Sequence, residues 1–389
     1  MKKRSVVLAP VVVMVGLCCA SFAATEYVIA NDNNLYHSSL LVYTLDTSSG
    51  TLTRIAELPT GGEGWGSGLI DENYANSQQA ISPDAVCIFA LDGRSNDIAS
   101  FSKATGYSTV GNYSNPAVTF GVGIALTPDG SFLYASYTGS NNIGAWAVNS
   151  DCSLTFVAAY VTSGGNIPGP IRVTPNGSYL VISLKLGAEL FAIDKSDGSM
   201  TDLGFLAFSS AGACLVGGDG ACVSDGLDFT RDSKLVIFAG SFVSGNNVWP
   251  IAMSANISPA GLTGLRGWSL WNKAGIGEDF EENFVPFLSA GGYGGSGSLY
   301  FGLGNGVVTA AFEEKPEKVS VVNATTIQFP ELLGAAIAVS GSVLIESQYP
   351  NQLLTFSING DGSLTLLSTT TLTDQVDAMF SFSLFPNTR

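Results

Sequence analysis

Residues 125–148 read ALTPDGSFLYASYTGSNNIGAWAV: a Thr-Pro-Asp-Gly turn, an apolar strand, a polar turn and a second apolar strand. Pro128 presets φ for the turn, and Gly130 takes the positive φ that ends it. The same pattern returns at Ile81-Ser82-Pro83-Asp84, at Val173-Thr174-Pro175-Asn176-Gly177 and, more divergent, at Phe229-Thr230-Arg231-Asp232-Ser233. Pro83, Pro128 and Pro175 follow one another at spacings of 45 and 47 residues. Strand-filled repeats of this length are the blades of a β-propeller, each a four-stranded sheet running from an inner strand a to an outer strand d.

Working outward from that stretch, the third blade places strands at 122–126, 132–137, 143–148 and 154–160, with residues 149–153 as the c–d turn. Alternation of apolar and polar side chains suits sheets packed face to face. Blade two covers 79–113 and blade four 170–206, while blades five, six and seven begin near Asp225, Leu288 and Gly334. The region after residue 24 opens on strands of type b, c and d (27–30, 40–45 and 52–58), without a strand a. Near the other end, residues 378–385 read as a lone strand a. Joining the two completes a first blade and leaves no open edge. The expected fold is all-β: a seven-bladed propeller of four-stranded blades, the first closed by both termini.

Bulk properties agree with this and exclude some functions. The chain has 389 residues, 46% hydrophobic and 12% charged, with 46 glycines for its many turns. Thirty-two acidic against 16 basic side chains give a net charge of −16. No basic stripe exists to bind nucleic acid or an anionic membrane. Residues 1–24 read as a signal peptide, with Lys2-Lys3-Arg4, an apolar run over 6–19 and the small-residue segment Ala20-Ser21-Phe22-Ala23-Ala24. Residues 25–389 would then be one propeller domain, secreted or periplasmic, with no membrane span.

Export permits disulfides among Cys87, Cys152, Cys214 and Cys222. Cys214 and Cys222 bracket a Gly-rich loop and are read as a pair. Cys87, at the start of a strand b, and Cys152, in the next blade's c–d turn, lie toward one face, and a bridge or two buried thiols both fit. With one histidine and no Cys-x-x-Cys, no metal site is assigned and no cofactor is expected. The acidic segment 278–282 lacks the glycine turn and alternating ligands of a calcium loop. Residues 291–297 are glycine-rich but have no following lysine or helix for a phosphate cradle.

Long connections at 59–78, 207–224 and 266–287 all fall on the face that carries b–c and d–a loops, where a function would sit. Basic candidates for a binding clamp at this mouth are Arg94, Lys185, Arg266 and Arg172, the last on an inner strand from which it could point into the channel. Acidic candidates are Glu63, Asp71, Glu72, Asp225, Glu278 and Asp279. Trp65, Trp268 and Trp271 could stack a sugar or pin the loops, and His37 is the single imidazole.

Val42-Tyr43-Thr44-Leu45-Asp46 with Ser49-Gly50-Thr51-Leu52-Thr53, the Ser/Thr-Pro-Asp/Asn-Gly turns, Gly139-Ser140-Asn141-Asn142-Ile143 and Leu180-Val181-Ile182-Ser183 resemble the exported seven-bladed lactonase-like propellers. That family is similar to 6-phosphogluconolactonase, carboxymuconate cycloisomerase and YVTN-repeat proteins. The resemblance implies a carboxylic ester hydrolase acting on a small sugar or organic-acid lactone, using histidine, arginine and carboxylate groups at the channel mouth. This chain departs from it in holding its one histidine in the b–c segment around His37. The alternative expectation is a non-catalytic scaffold that binds a glycan, peptide or cell-envelope partner through the same loops. Composition and spacing set no oligomeric state.

Overall fold

The computed structural model describes residues 26–65, 78–114, 119–163, 168–210, 221–244, 247–270, 287–291, 296–303, 306–314, 317–326, 337–340, 342–348, 352–372 and 382–385. The signal-peptide expectation, Glu72, Cys214 and the acidic segment 278–282 lie outside these residues. Within them the chain forms seven four-stranded antiparallel sheets.

Blade one combines β1 (Glu26–Asn31), β2 (Ser39–Asp46) and β3 (Thr51–Pro59) with the last strand, β28 (Phe382–Phe385), in the order β28-β1-β2-β3. Blade two is β4 (Gln79–Ile81), β5 (Cys87–Asp92), β6 (Asp97–Ser102) and β7 (Ser108–Ser114). Blade three holds β8 (Gly121–Leu126), β9 (Phe132–Tyr137), β10 (Asn142–Val148) and β11 (Leu154–Val161). Blade four holds β12 (Pro168–Val173), β13 (Tyr179–Leu184), β14 (Gly187–Ile193) and β15 (Met200–Ala207). Blade five runs through β16 (Ala221–Phe229), β17 (Leu235–Ser244), β18 (Asn247–Ser258) and β19 (Gly261–Ser269). Blade six is β20 (Phe287–Gly291), β21 (Ser296–Leu303), β22 (Gly306–Glu314) and β23 (Glu317–Thr326). Blade seven is β24 (Ile337–Ser340), β25 (Val343–Gln348), β26 (Gln352–Ile358) and β27 (Leu364–Thr371).

The closure expected from the termini is present: Tyr27, Val28, Ile29 and Ala30 pair with Phe385, Leu384, Ser383 and Phe382. It works because strand side chains alternate between faces. Val28 and Ala30 pack against Val343, Ile345 and Leu353 of blade seven, and Ile29 against Ile88 and Ala90 of blade two. Each of the seven junctions between neighbouring blades has its own buried apolar cluster. The core is thus a ring of seven two-sheet interfaces, and opening any one exposes apolar surface at roughly 25 cal/mol per Å².

Every outer strand also carries a bulge. Its register against strand c slips once in each blade, as at Ile55 opposite Val42/Tyr43 and at Leu367 opposite Thr355/Phe356. The slip twists the unpaired edge away from a flat template for another chain, which protects a fold with seven exposed edges.

Two connections differ from the sequence expectation, and the one placed at 207–224 ends earlier, since β16 begins at Ala221. The long loop placed at 266–287 begins later, because β19 runs to Ser269 and pairs with β18 from Ser258↔Gly261 to Ile251↔Ser269. Gly261, Gly264 and Gly267 dilute the alternation of this strand, and the long β18 supplies the ladder that its own sequence does not advertise. Arg266 and Trp268 are therefore strand residues, with Trp268 packed against the cluster between blades five and six. The two alternatives for Cys87 and Cys152 resolve as a disulfide joining blade two to blade three. Cys222 is disulfide-bonded as well.

Candidate functional site

Between blades one and two, three segments interlock on the face carrying b–c and d–a loops. The b–c loop of blade one folds on its own side chains: Asn31 Oδ1 accepts from Asn33 N (2.8 Å), and Asp32 Oδ1 from Asn34 N (3.1 Å) and Ser39 N (2.8 Å). Asn34 Oδ1 accepts from Tyr36 N and His37 N at 3.0 and 3.1 Å. Short polar side chains that bond backbone two or three residues on make this Asn-Asp-Asn-Asn run a turn. His37 and Tyr36 are left exposed at its tip.

Over this loop runs segment 60–65 of the connection leaving β3. Thr60 N donates to Ser38 O (2.9 Å), Ser38 N to Gly62 O (3.1 Å) and Gly64 N to Asn34 O (2.7 Å). Its other side is tied to the b–c loop of blade two: Glu63 N donates to Ser95 Oγ (2.9 Å), and Arg94 N and Ser95 N donate to Glu63 O. Trp65 anchors the end. Its backbone N–H reaches Asn33 Oδ1 and its indole Nε1 reaches Gly121 O, both at 2.8 Å, while Phe120 stacks on the ring at 5.1 Å. Trp65 is buried, so its role here is to pin the loop. Phe120 is 47% exposed and holds a positive φ of 64°, strained for a bulky residue.

The indole leaves room for no side chain at Gly93, where a Cβ would lie 1.8 Å from Trp65 Nε1. Gly93→Ala should therefore lower stability by about 1–3 kcal/mol, read from chemical denaturation, and shift Trp65 fluorescence.

Beneath segment 60–65 lies Asp92, the last residue of β5, with no solvent exposure. The Cα of Gly62 packs on its carboxylate so closely that a Cβ there would be 2.3 Å from Oδ2. Ser38 and Thr60 stand beside it, but Ser38 Oγ donates to Asn31 Oδ1 (3.2 Å) and Thr60 Oγ1 to Ser38 O (2.8 Å). Neither Asp92 oxygen receives a hydrogen bond, and the amide nitrogens of Asn31 and Asn33 are also buried without an acceptor. Desolvation first, then the charges of Asp97 and Asp32, push the Asp92 carboxyl up to about 7, while the neighbouring Thr60 and Ser38 hydroxyls offset part of the rise. Asp97 is held by Ser95 Oγ on one oxygen and by Asn112 Nδ2 (2.8 Å) on the other.

The residues expected to line a clamp are dispersed. Arg94 sits at the mouth, half exposed, paired through Nε with Glu63 Oε2 at 3.5 Å. Lys185 lies on the same face in the b–c turn of blade four, beside the exposed Leu186, and so on a blade not adjacent to that of Arg94. Arg172 is next to last in β12, just before the Thr174-Pro175 turn, and so lies toward the opposite, tight-turn face. Its neighbours Ile171 and Val173 pack against blade three, which places Arg172, opposite Val181, on the sheet face toward blade five. Asp225 marks a bulge in β16 between Ser224 and Gly226. Asp92, Asp97 and Phe120 were missed. The available signal was an aspartate at the end of a strand b that is otherwise wholly apolar, Cys87-Ile88-Phe89-Ala90-Leu91-Asp92.

Comparison with known proteins bears on the whole ring. Residues 84–216 match the family model described as "Lactonase, 7-bladed beta-propeller". A protein from Lactobacillus plantarum superposes with a TM-score of 0.66 at 13% identity, covering 92% of this chain and 99% of its own. A candidate 6-phosphogluconolactonase from Bacteroides fragilis gives 0.60 at 13% identity, with 94% and 99% covered. A Desulfotomaculum acetoxidans protein of unknown function gives 0.63 at 14% identity, with 92% and 98% covered. At these identities the structural likeness is one of fold. No curated protein matches the chain in sequence. Ring closure and blade count make this chain a seven-bladed β-propeller, whose blades two to four are similar to the lactonase propeller family.

Proposed function

We propose that the chain is an exported lactonase-like hydrolase that opens a small sugar or organic-acid lactone at the mouth formed by the b–c and d–a loops. The observation that carries this reading is the lactonase match over residues 84–216. Export rests on the sequence pattern of residues 1–24. In the reaction, water adds to the lactone carbonyl, the ring C–O bond breaks, and the water's proton passes through a carboxylate base to the departing ring oxygen. Among the described residues, Arg94 and Lys185 are cations on this face that suit an anionic substrate, and Arg94 would exchange its Glu63 partner for the substrate carboxylate or phosphate. Phe120 presents an exposed ring to the apolar side of such a ligand.

Assay of sugar lactones from about pH 5 to 9 should show turnover, with Arg94→Ala lowering kcat/KM by at least roughly tenfold. Absence of hydrolysis across that panel removes the enzyme reading. A second reading, a non-catalytic binding module for a glycan or envelope partner, is favoured by one observation: Asp92, the carboxyl on this face pushed up to about 7, is sealed from solvent. Saturable binding of a lactone or oligosaccharide without turnover would establish it.

A further inference from the structure

We propose that segment 60–65 is a pH-sensitive strap, held down on Asp92 while that carboxyl keeps its proton and loosened when the carboxyl ionises. This inference does not depend on the lactonase reading. It stands first on geometry. Asp92 has no exposure and no hydrogen bond to either oxygen, and the backbone of Gly62 covers it in direct contact. A buried carboxylate whose neighbouring hydroxyls, Ser38 and Thr60, are directed to other acceptors and offset only part of its desolvation is disfavoured, whereas a neutral carboxyl in the same place costs far less. The quickest route to water for the anion is displacement of the cover, because the opposite side of Asp92 is the packed strand β5 between blades one and three.

The charged and titratable neighbours act in one direction. Asp97 from β6 and Asp32 from the b–c loop of blade one both disfavour ionisation of Asp92. Tyr137, from β9 of blade three, is fully buried and has its own hydroxyl proton held more tightly by burial and by Asp97. Glu63, Arg94 and His37 belong to the surrounding segments, but their side chains are turned to solvent. No cation is placed to hold the Asp92 anion in the closed arrangement among these groups.

The closed state therefore binds a proton that the open state releases between the ordinary aspartate range and about pH 7. Closure is most favourable below that window, weakens as pH rises through it, and changes little above it. The strap spans the seam between blades one and two at the mouth, so its loosening would alter the loop face on which a ligand would dock.

The test is hydrogen exchange by mass spectrometry on the full-length protein, following the amides of Gly62, Glu63, Gly64, Trp65 and Ser38. After correction for intrinsic rates, opening should increase about thirtyfold between about pH 5.5 and about pH 8.5. Asp92→Asn should abolish this dependence while distant blades exchange as before. Gly62→Ala, which puts a methyl group into the Asp92 carboxylate, should expose the same amides at both pH values. Unchanged protection of the wild type across this range, or the same pH response in Asp92→Asn, overturns the proposal. So does wild-type protection in Gly62→Ala, which keeps the test decisive if Asp92→Asn does not fold.

Discussion

Removing residues 382–389 will open the ring. The truncated protein should no longer elute at the position of the full chain in size-exclusion chromatography, and should melt roughly 10 °C or more below it. The deleted strand β28 supplies the inner strand of blade one, and its four paired positions cover Tyr27, Val28, Ile29 and Ala30. Without it β1 becomes an inner edge with open backbone donors and acceptors, a template for pairing with other chains. The apolar loss spreads further, because β1 packs by alternate residues against both neighbours: Val28 on blade seven, Ile29 on blade two. A ring held by junctions has no free end to fray, so a break at one blade releases the restraint on all. A truncated protein that elutes and melts like the full chain would show that the closure strand is dispensable.

The second large effect concerns the bridge between blades two and three. Replacing Cys87 and Cys152 together by serine should cost up to about 4 kcal/mol, because the bond closes a loop of 65 residues in the unfolded chain. The expected readout is a fall of several degrees in Tm for the double variant, measured without reductant so that the other disulfide, at Cys222, stays intact. Both residues are buried, Cys152 completely, and Ser100 Oγ of blade two donates to Cys152 O at the same junction. Serine there adds a hydroxyl to an apolar cluster formed by Phe89, Leu91, Leu133 and Trp146. The paired alanine variant separates the two causes: it removes the bond without burying a polar group. If both double variants melt with the wild type, the cross-link contributes nothing to stability.

Much of the architecture was legible because it is written in short-range chemistry. Turns such as Thr127-Pro128-Asp129-Gly130 signal themselves: Thr127 Oγ1 donates to Asp129 Oδ1, Phe132 N donates to Thr127 Oγ1, and Gly130 takes a φ of 77°. Strands such as Phe132–Tyr137 alternate between two junctions, with Leu133 and Ala135 toward blade two and Tyr134 toward blade four. Where local pattern failed, at β19, the strand exists because β18 provides a partner, and its glycines carry no signal of that. The site was less legible. Trp65 looked like a loop aromatic free to stack a ligand, yet its indole is spent on Gly121, 56 residues away.

By itself the sequence determined the period, the turns, the blade count and the meeting of the two ends in one blade, since each depends on residues a few positions apart or on a strand lacking a partner. Only the tertiary structure decided which polar groups are sealed. Asp92 looks in sequence like an ordinary turn aspartate and becomes a buried acid only when segment 60–65 closes over it. Arg172 reads as an inner-strand cation, and only the pairing opposite Val181 tells which sheet face it shares. Burial and direction depend on what the ring brings alongside, and desolvation, which sets the chemistry of a carboxyl, is a property of that assembled surrounding and not of the residue.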